Sequence, residues 1–526
     1  MSYGYLVSAN ASENAKSSLG QQVLNTKCVA CHAALPGGGL DRISEGRRTP
    51  EGWDMTVARM GYAHGMKLTQ EERHAVVKYL ADTRGLAPEE AANHRYILEK
   101  TPGVVEQPSR INDKVIVDSC ARCHSAARVG LQRRTFDDWQ KLVAFHVGQY
   151  PAIEFQYGGR DREWFKIANS EVAKLLADNQ PEQSDLWKKW SAKEKANVDG
   201  EWLVAGHRPG WGAYSGSATI TRSAADAYQI TMSIRYENGK TEKASGNATV
   251  FTGYEWRASL NQNGDAVRQV FSLSEDGQRL EGRWYLTDHE DIGGRFTALK
   301  QIAGAPGQVL SVQPSRIKVG QTQKLTIRGT GLTGNVTLGD GVAVTRVLKS
   351  SPTEVVVEVR ADAKAKDGYR QITMSNVTQK GATVAVYRQI DSIRIEPKEG
   401  MARVGGNGGP IPKKPVQFEA IAYANGPDGK VDTEDDVRIG HVVAQWSLAN
   451  LNKNAEEMQD LQFAGTLSKN GLFMPNNAGP NPERKYSTNN AGELKVKAVV
   501  KEGAKVLSAS THLMVTVQRF VDPPIH

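Results

Sequence analysis

Two short stretches of the chain bring together residue types that hold a metal-bearing group: Cys28-Val-Ala-Cys31-His32 and Cys120-Ala-Arg-Cys123-His124. Both read C-x-x-C-H, the signature of c-type haem attachment. Cysteines three apart lie on one face of a helical turn and can add to the two haem vinyl groups. The adjacent histidine, His32 or His124, then reaches the iron as proximal ligand. A single such motif also fits a zinc site or a redox dithiol, and zinc would require the two clusters to join. Two copies that use all four cysteines of the chain favour two covalent haem c groups.

The surroundings repeat as well. Gly20-x3-Leu24-x3-Cys28 places three residues on one helical face, and Asn112-x3-Ile116-x3-Cys120 keeps the spacing with Asn for Gly. A small residue there permits close helix packing, as in class I cytochromes c, which this resembles. Downstream, Arg47-Arg48-Thr49-Pro50-Glu51-Gly52-Trp53 parallels Arg133-Arg134-Thr135-Phe136-Asp137-Asp138-Trp139. Continued without gaps, Trp53, Val57 and Met60 match Trp139, Val143 and His146, each set spaced i, i+4, i+7 on one helix face. The expected sixth ligands are therefore Met60 for the first iron and His146 for the second, with Met66 and His64 as alternatives for the first. Thioether ligation raises the potential of a c-type haem, so the Met/His pair should be the more oxidising. The arginine pairs Arg47/Arg48 and Arg133/Arg134 either neutralise haem propionates or form a solvated basic turn. Trp53 and Trp139 would pack along the haem edges.

Elements must position these groups. Residues 12–195 read as helical. Thr49-Pro50 supplies an N-cap followed by Pro at the first helical position. Thr69-Gln70-Glu71-Glu72 is a capping box for a helix that stops at Gly85. A further helical stretch runs from Arg162 to Asp178. After about residue 195 the texture turns to alternation, as in Gln229-Ile-Thr-Met-Ser-Ile-Arg235 and Glu354-Val-Val-Val-Glu-Val-Arg360. That pattern predicts short antiparallel strands in sandwiches or barrels, with hairpins at Asn238-Gly239 and Asn263-Gly264. Breaks near 304–307 and Tyr387 divide the region. The expected organisation is an all-α dihaem cytochrome c domain (12–195), an antiparallel β-barrel (196–303) and two immunoglobulin-like β-sandwiches (304–388 and 389–526). Ile327-Arg-Gly-Thr-Gly-Leu-Thr-Gly334 resembles the start of an IPT/TIG domain at the level of fold.

The chain has 526 residues, and 39% hydrophobic with 24% charged residues describes folded, soluble domains. Net charge is +8 without a Lys/Arg block, which speaks against nucleic acid and leaves room for an acidic protein partner. No apolar run reaches the length of a transmembrane helix. Ala9-Asn10-Ala11 has the small-x-small look of a signal-peptidase site, either the stub of an export signal or a coincidence. Asp428, Asp432, Asp435 and Asp436 crowd a Gly-containing loop. They could supply oxygens to calcium, though not at EF-hand spacing, or form a solvated acidic turn.

The stretches 49–60, 120–125, 131–135 and 145–151, with a dihaem head and three β domains behind it, closely resemble the large α subunit of quinohaemoprotein amine dehydrogenase. The resemblance implies a periplasmic heterotrimer with a β-propeller subunit and a small subunit. The small subunit would carry a tryptophylquinone that oxidises primary amines to aldehyde and ammonia. It implies that this chain passes electrons through two haems to a soluble copper protein or cytochrome c. No cysteine remains here to cross-link a tryptophan, so the quinone is expected on the partner. Two other readings stay open: an independent, peroxidase-like dihaem oxidoreductase, and an adhesion or carbohydrate-binding protein whose β domains carry the function.

Overall fold

The computed structural model describes residues 13–106, 114–156, 159–377, 381–407 and 411–517. Asn112 and the Ala9-Asn10-Ala11 stretch lie outside the described residues. The helical head contains α1 (Glu13–Thr26), α2 (Pro50–His64), α3 (Gln70–Thr83), α4 (Pro88–Ala91), α5 (Arg95–Leu98), α6 (Lys114–Cys120), α7 (Ala127–Gly130) and α8 (Phe136–Gln149). It continues through α9 (Trp164–Ile167), α10 (Ala173–Asn179) and α11 (Asp185–Ala192). The caps are those the sequence calls for. Thr49 Oγ1 accepts from the Gly52 N–H, and Thr69 and Glu72 close a reciprocal capping box.

Between α9 and α10 the chain makes a π-turn at Ala168–Val172, so the expected helix over 162–178 is broken in register. Such turns recur at functional sites.

The head forms two lobes, each around one tryptophan. Trp53 packs with Val23, Val57, Val76, Val77, Leu80 and Ala81. Trp139 packs with Ile116, Ala126, Val129, Val172, Ala173 and Leu176. A Cβ on Gly20 would stand 2.4 Å from the Ala75 carbonyl oxygen and 2.6 Å from Tyr79 Cβ, so glycine sets the crossing of α1 over α3. Gly20→Leu is expected to cost about 3 kcal/mol or more through overpacking. Denaturant unfolding would read this as a lowered head midpoint, and an unchanged midpoint would refute the close crossing.

The head is not all-helical. β1 (Gly46–Arg48) and β2 (Gln132–Arg134) pair antiparallel, with Arg47 opposite Arg133. The two arginine-pair segments, for which a solvated turn is one of two sequence readings, are extended, and each satisfies the backbone of the other across the lobe boundary.

Behind the head, β3 (Gly200–Arg208), β4 (Gly212–Ala224), β5 (Ala227–Tyr236), β6 (Thr241–Phe251), β7 (Glu255–Gln262), β8 (Asp265–Leu273), β9 (Arg279–Leu286) and β10 (His289–Lys300) close into a barrel. Asn263 and Gly264 both take positive φ in the two-residue turn between β7 and β8, as a type I′ hairpin requires. At Asn238-Gly239 the loop is longer, and only Gly239 is left-handed. Trp202, Tyr228, Trp256, Phe271, Trp284 and Phe296 fill the barrel interior. A cavity of about 20 Å³ remains there, room for about one water. Trp187 and Trp190 of α11 close onto the same core.

Two β-rich units follow. The first has a four-stranded sheet in the order 308–313, 322–330, 354–361 and 342–350, facing a three-stranded one. The second is built on a four-stranded sheet that includes 492–502 and 505–516. The pairs Arg316–Lys318 with 385–387 and Glu399–Arg403 with 512–516 are parallel, so neither unit is wholly antiparallel as expected. Ion pairs tie the units together, among them Arg257–Glu51 at 2.5 Å, Arg95–Glu255 at 2.6 Å and His207–Glu419 at 2.8 Å.

Candidate haem site

Each C-x-x-C-H motif ends a helix. In the first lobe Cys28–Ala30 is a 3₁₀ turn, and the N–H groups of Cys31 and His32 both donate to the Cys28 carbonyl. In the second, α6 ends on Cys120 itself. All four thiols are free of disulfides. Cys31 and Cys123 are exposed, Cys28 and Cys120 half-buried.

Burial raises the Cys28 thiol, and burial with the nearby Cys123 pushes Cys120 up to about 12. Among the described residues no group of three or more Cys, His, Asp or Glu side chains is arranged to hold a metal ion. The joined zinc site therefore has no support in the structure.

The histidine that follows each pair is oriented from behind. His32 Nδ1 lies 2.9 Å from the Asp41 carbonyl oxygen, and His124 Nδ1 lies 2.9 Å from that of Ser125. A carbonyl only accepts, so each Nδ1 carries the proton and each Nε2 keeps its lone pair. His146 is fixed in the same way by the Leu142 carbonyl at 2.8 Å, one turn earlier on α8. The ring centroids of His124 and His146 lie 6.5 Å apart, with the planes tilted by 36°. Two imidazoles this close could hold one iron between them. Burial holds His124 below the ordinary imidazole pKa, with the Ser125 carbonyl acting against it. The neutral ring is the ligating form. Trp164 stands 6.1 Å from His146 and donates to the Ser119 carbonyl at 2.7 Å.

The first lobe is less closed. Met60 is half-buried on α2, and its carbonyl accepts the Met66 N–H at 3.0 Å. Met66 packs against the cluster of Trp53 and Val57, whereas His64 is exposed. Met66 thus belongs to the core of this lobe, and the exposed His64 does not enter it. Val57 is buried beside Trp53, while its counterpart Val143 packs with Ile153 and Trp164.

The four arginines divide between the two faces of the ladder, as side chains along a strand alternate. Arg47 and Arg133 share Glu90. Arg47 donates to both its oxygens, at 2.7 and 2.8 Å, and also to the Gly85 and Glu182 carbonyls. Arg133 stands 3.4 Å from Glu90 and donates to the Gly130 carbonyl. These two neutralise a carboxylate of the protein itself, and neither sits in a solvated turn. The expected propionate role does not fit them.

On the other face Arg134 donates to Asp138, Arg42 donates to it at 2.9 Å, and Arg48 lies 3.8 Å away. One carboxylate serves three guanidiniums. Burial, with Arg134 beside it, pushes Arg48 well below the usual guanidinium range. Arg48 stacks on Trp53 at 4.4 Å and Arg134 on Trp139 at 5.5 Å, a matched pair across the repeat. Arg48 Nη1 and Trp139 Nε1 are buried donors without an acceptor. Haem carboxylates are acceptors of the kind these two lack, so this face fits the group and the Glu90 face does not.

Asp138 is legible beforehand as i+4 from Arg134; Glu90, far away in sequence, has no local signal. The aspartate loop is turned inward. Asp436 accepts from the N–H groups of Gly426, Asp432 and Thr433 and pairs with Arg394. Asp435 accepts from the Asp428 N–H and the Thr433 hydroxyl, and Asp428 from the Lys430 N–H. The carboxylates brace the loop, and they are not arranged as a calcium cage.

A duplicated helical head with histidines poised at C-x-x-C-H turns, carried on β-rich units, defines a multidomain haem-binding protein. Comparison with family models agrees. Residues 18–187 match the model described as quinohemoprotein amine dehydrogenase A, alpha subunit, haem binding. Residues 195–301, 306–388 and 393–525 match domains II, III and IV of the same alpha subunit. The chain belongs to the quinohaemoprotein amine dehydrogenase alpha-subunit family.

No curated protein matches the chain. Solved structures match at low scores. A redesigned beta barrel, mFAP1, bound to DFHBI is 14% identical over 20% of this chain and 94% of that one, with a TM-score of 0.18. Drosophila N-cadherin EC1-3 is 11% identical over 62% and 92%, with a TM-score of 0.22. Mouse clustered PcdhgC3 EC1-3 is 13% identical over 46% and 76%, with a TM-score of 0.16.

Proposed function

We propose that this chain is the electron-transfer subunit of a periplasmic amine dehydrogenase and carries two covalent haem c groups. Cys28 and Cys31 hold the first haem and Cys120 and Cys123 the second. His32 with Met60, and His124 with His146, are the axial pairs. Electrons enter from a tryptophylquinone on a small partner subunit, where primary amines are oxidised to aldehyde and ammonia. They leave to a soluble copper protein or cytochrome c. A β-propeller subunit completes the assembly, and the β-rich units of this chain are its framework.

The observation that supports the reading most is the approach of the His124 and His146 rings, with centroids 6.5 Å apart and each Nδ1 tied to a carbonyl. A haem supplies one-electron chemistry between ferric and ferrous iron. The residues of the chain fix the ligand rings, exclude water with Trp53, Trp139 and Trp164, and set charge about the iron.

The test is to purify the chain after c-type maturation and count the haems that survive denaturation. Two per chain, both low-spin by electron paramagnetic resonance, and co-purification with a small cysteine-bearing subunit are expected. A high-spin ferric haem that turns over peroxide would replace the wire with a peroxidase-like site. A chain isolated from its source without partner subunits would remove the assembly.

A further inference from the structure

Behind the second C-x-x-C-H motif a carboxylate bonds the two residues that follow the histidine, whereas among the described residues the one beside His32, on Asp41, pairs with Lys141 at 3.0 Å instead. Glu106, on the segment that joins the two lobes, reaches the turn that follows His124. Its Oε1 accepts from the Tyr96 hydroxyl at 2.6 Å and from the Ser125 hydroxyl. Its Oε2 accepts from the Ala126 N–H at 2.7 Å. Ser125 works in both directions. Its hydroxyl goes to Glu106, and its carbonyl takes the Nδ1 proton of His124 at 2.9 Å. A continuous set of hydrogen bonds therefore runs from Tyr96 through Glu106 and Ser125 to the His124 ring. Burial works against the charge on Glu106, but the donors from Ser125, Tyr96 and Ala126 outweigh it and hold the carboxyl below its usual value.

The first lobe differs in kind. His32 is held by the Asp41 carbonyl, from across a loop, and the residue after it is Ala33, which has no hydroxyl to pass on. Partners of this sort behind a metal-bound histidine fix its orientation and raise its basicity. A fixed negative charge near an iron also favours the ferric state, and the protein interior screens it less than water does.

We propose that Glu106 is a positioning residue of the second haem: it fixes the Ser125 turn, through it the His124 ring, and its charge lowers the potential of that haem alone. The inference rests on the two-haem reading above.

The experiment is an equilibrium redox titration, against dyes, of the full-length haem-loaded chain and its Glu106→Gln variant. The expected result is an upward shift of the bis-histidine haem by about a tenfold change in its equilibrium constant, about 59 mV for one electron, with the other haem unmoved. Tyr96→Phe keeps the charge but frees one oxygen of the carboxylate, so by loosening the Ser125 turn and the His124 ring it should shift the same haem upward by less, and it carries the test if Glu106→Gln fails to accumulate. Two haems that do not shift, or that shift together, would overturn the role of Glu106. A chain that binds fewer than two covalent haems before any substitution fails the underlying reading instead.

Discussion

His146→Gly should leave the second haem covalently attached and turn its iron from six- to five-coordinate. The ferric spectrum then gains one high-spin signal while the other haem stays low-spin. Added imidazole should enter the space left by the side chain and restore the low-spin state. The grounds are geometric. His146 is held by the Leu142 carbonyl at 2.8 Å, and its ring centroid lies 6.5 Å from that of His124. The ring is part of a fixed wall with Trp164, so its removal leaves a cavity. His146→Met is the complementary change. It should raise the potential of the same haem, since thioether ligation favours the ferrous state. A His146→Gly chain with two unchanged low-spin haems would show that another residue ligates the second iron.

The second large effect concerns stability. Glu90→Ala is expected to cost about 3–5 kcal/mol, the range for removing one partner of a buried ion pair. Glu90 is 3% exposed at its side chain, Arg47 1% and Arg133 9%. Besides the two arginines, its carboxylate accepts from the Ser184 hydroxyl and the Ala87 N–H, at 2.7 and 2.8 Å. Its loss strands two guanidiniums away from water. Glu90→Gln keeps the shape and loses the charge, so it should fall between wild type and Ala. Chemical denaturation followed by haem absorbance reads the head separately from the β units. A loss below about 1 kcal/mol for Glu90→Ala would mean that the arginines find other acceptors.

The parts of the head that were legible in sequence are those written in local chemistry. Thr49 and Thr69 announce the starts of α2 and α3 because a cap needs an oxygen within a few residues. Gly20 is informative because its spacing to Cys28 fixes the face it presents. The gapless repeat pairs Met60 with His146, and the His146 ring lies 6.5 Å from that of His124. What stayed hidden depends on distant partners. The arginine pairs looked alike in sequence, yet Arg47 and Arg133 meet Glu90 while Arg48 and Arg134 meet Asp138. That division follows from a strand pairing between lobes, which no local window contains. In the β-rich part, alternation and the domain breaks lead to the expectation of a barrel over 196–303, although alternation alone does not tell a closed barrel from two packed sheets. The strand pattern is the same in both, and only the pairing of β10 with β3 closes the circle.

The β1–β2 ladder also has a biosynthetic meaning. Domains form from the N-terminus as the chain is made. The first lobe therefore exists for a time with β1 as an open strand edge, and with Arg48 facing the place where Asp138 has yet to arrive. An open edge recruits whatever strand is nearest. The second lobe thus closes the edge of the first, and a chain that stops before β2 would leave β1 unpaired and Arg48 without Asp138.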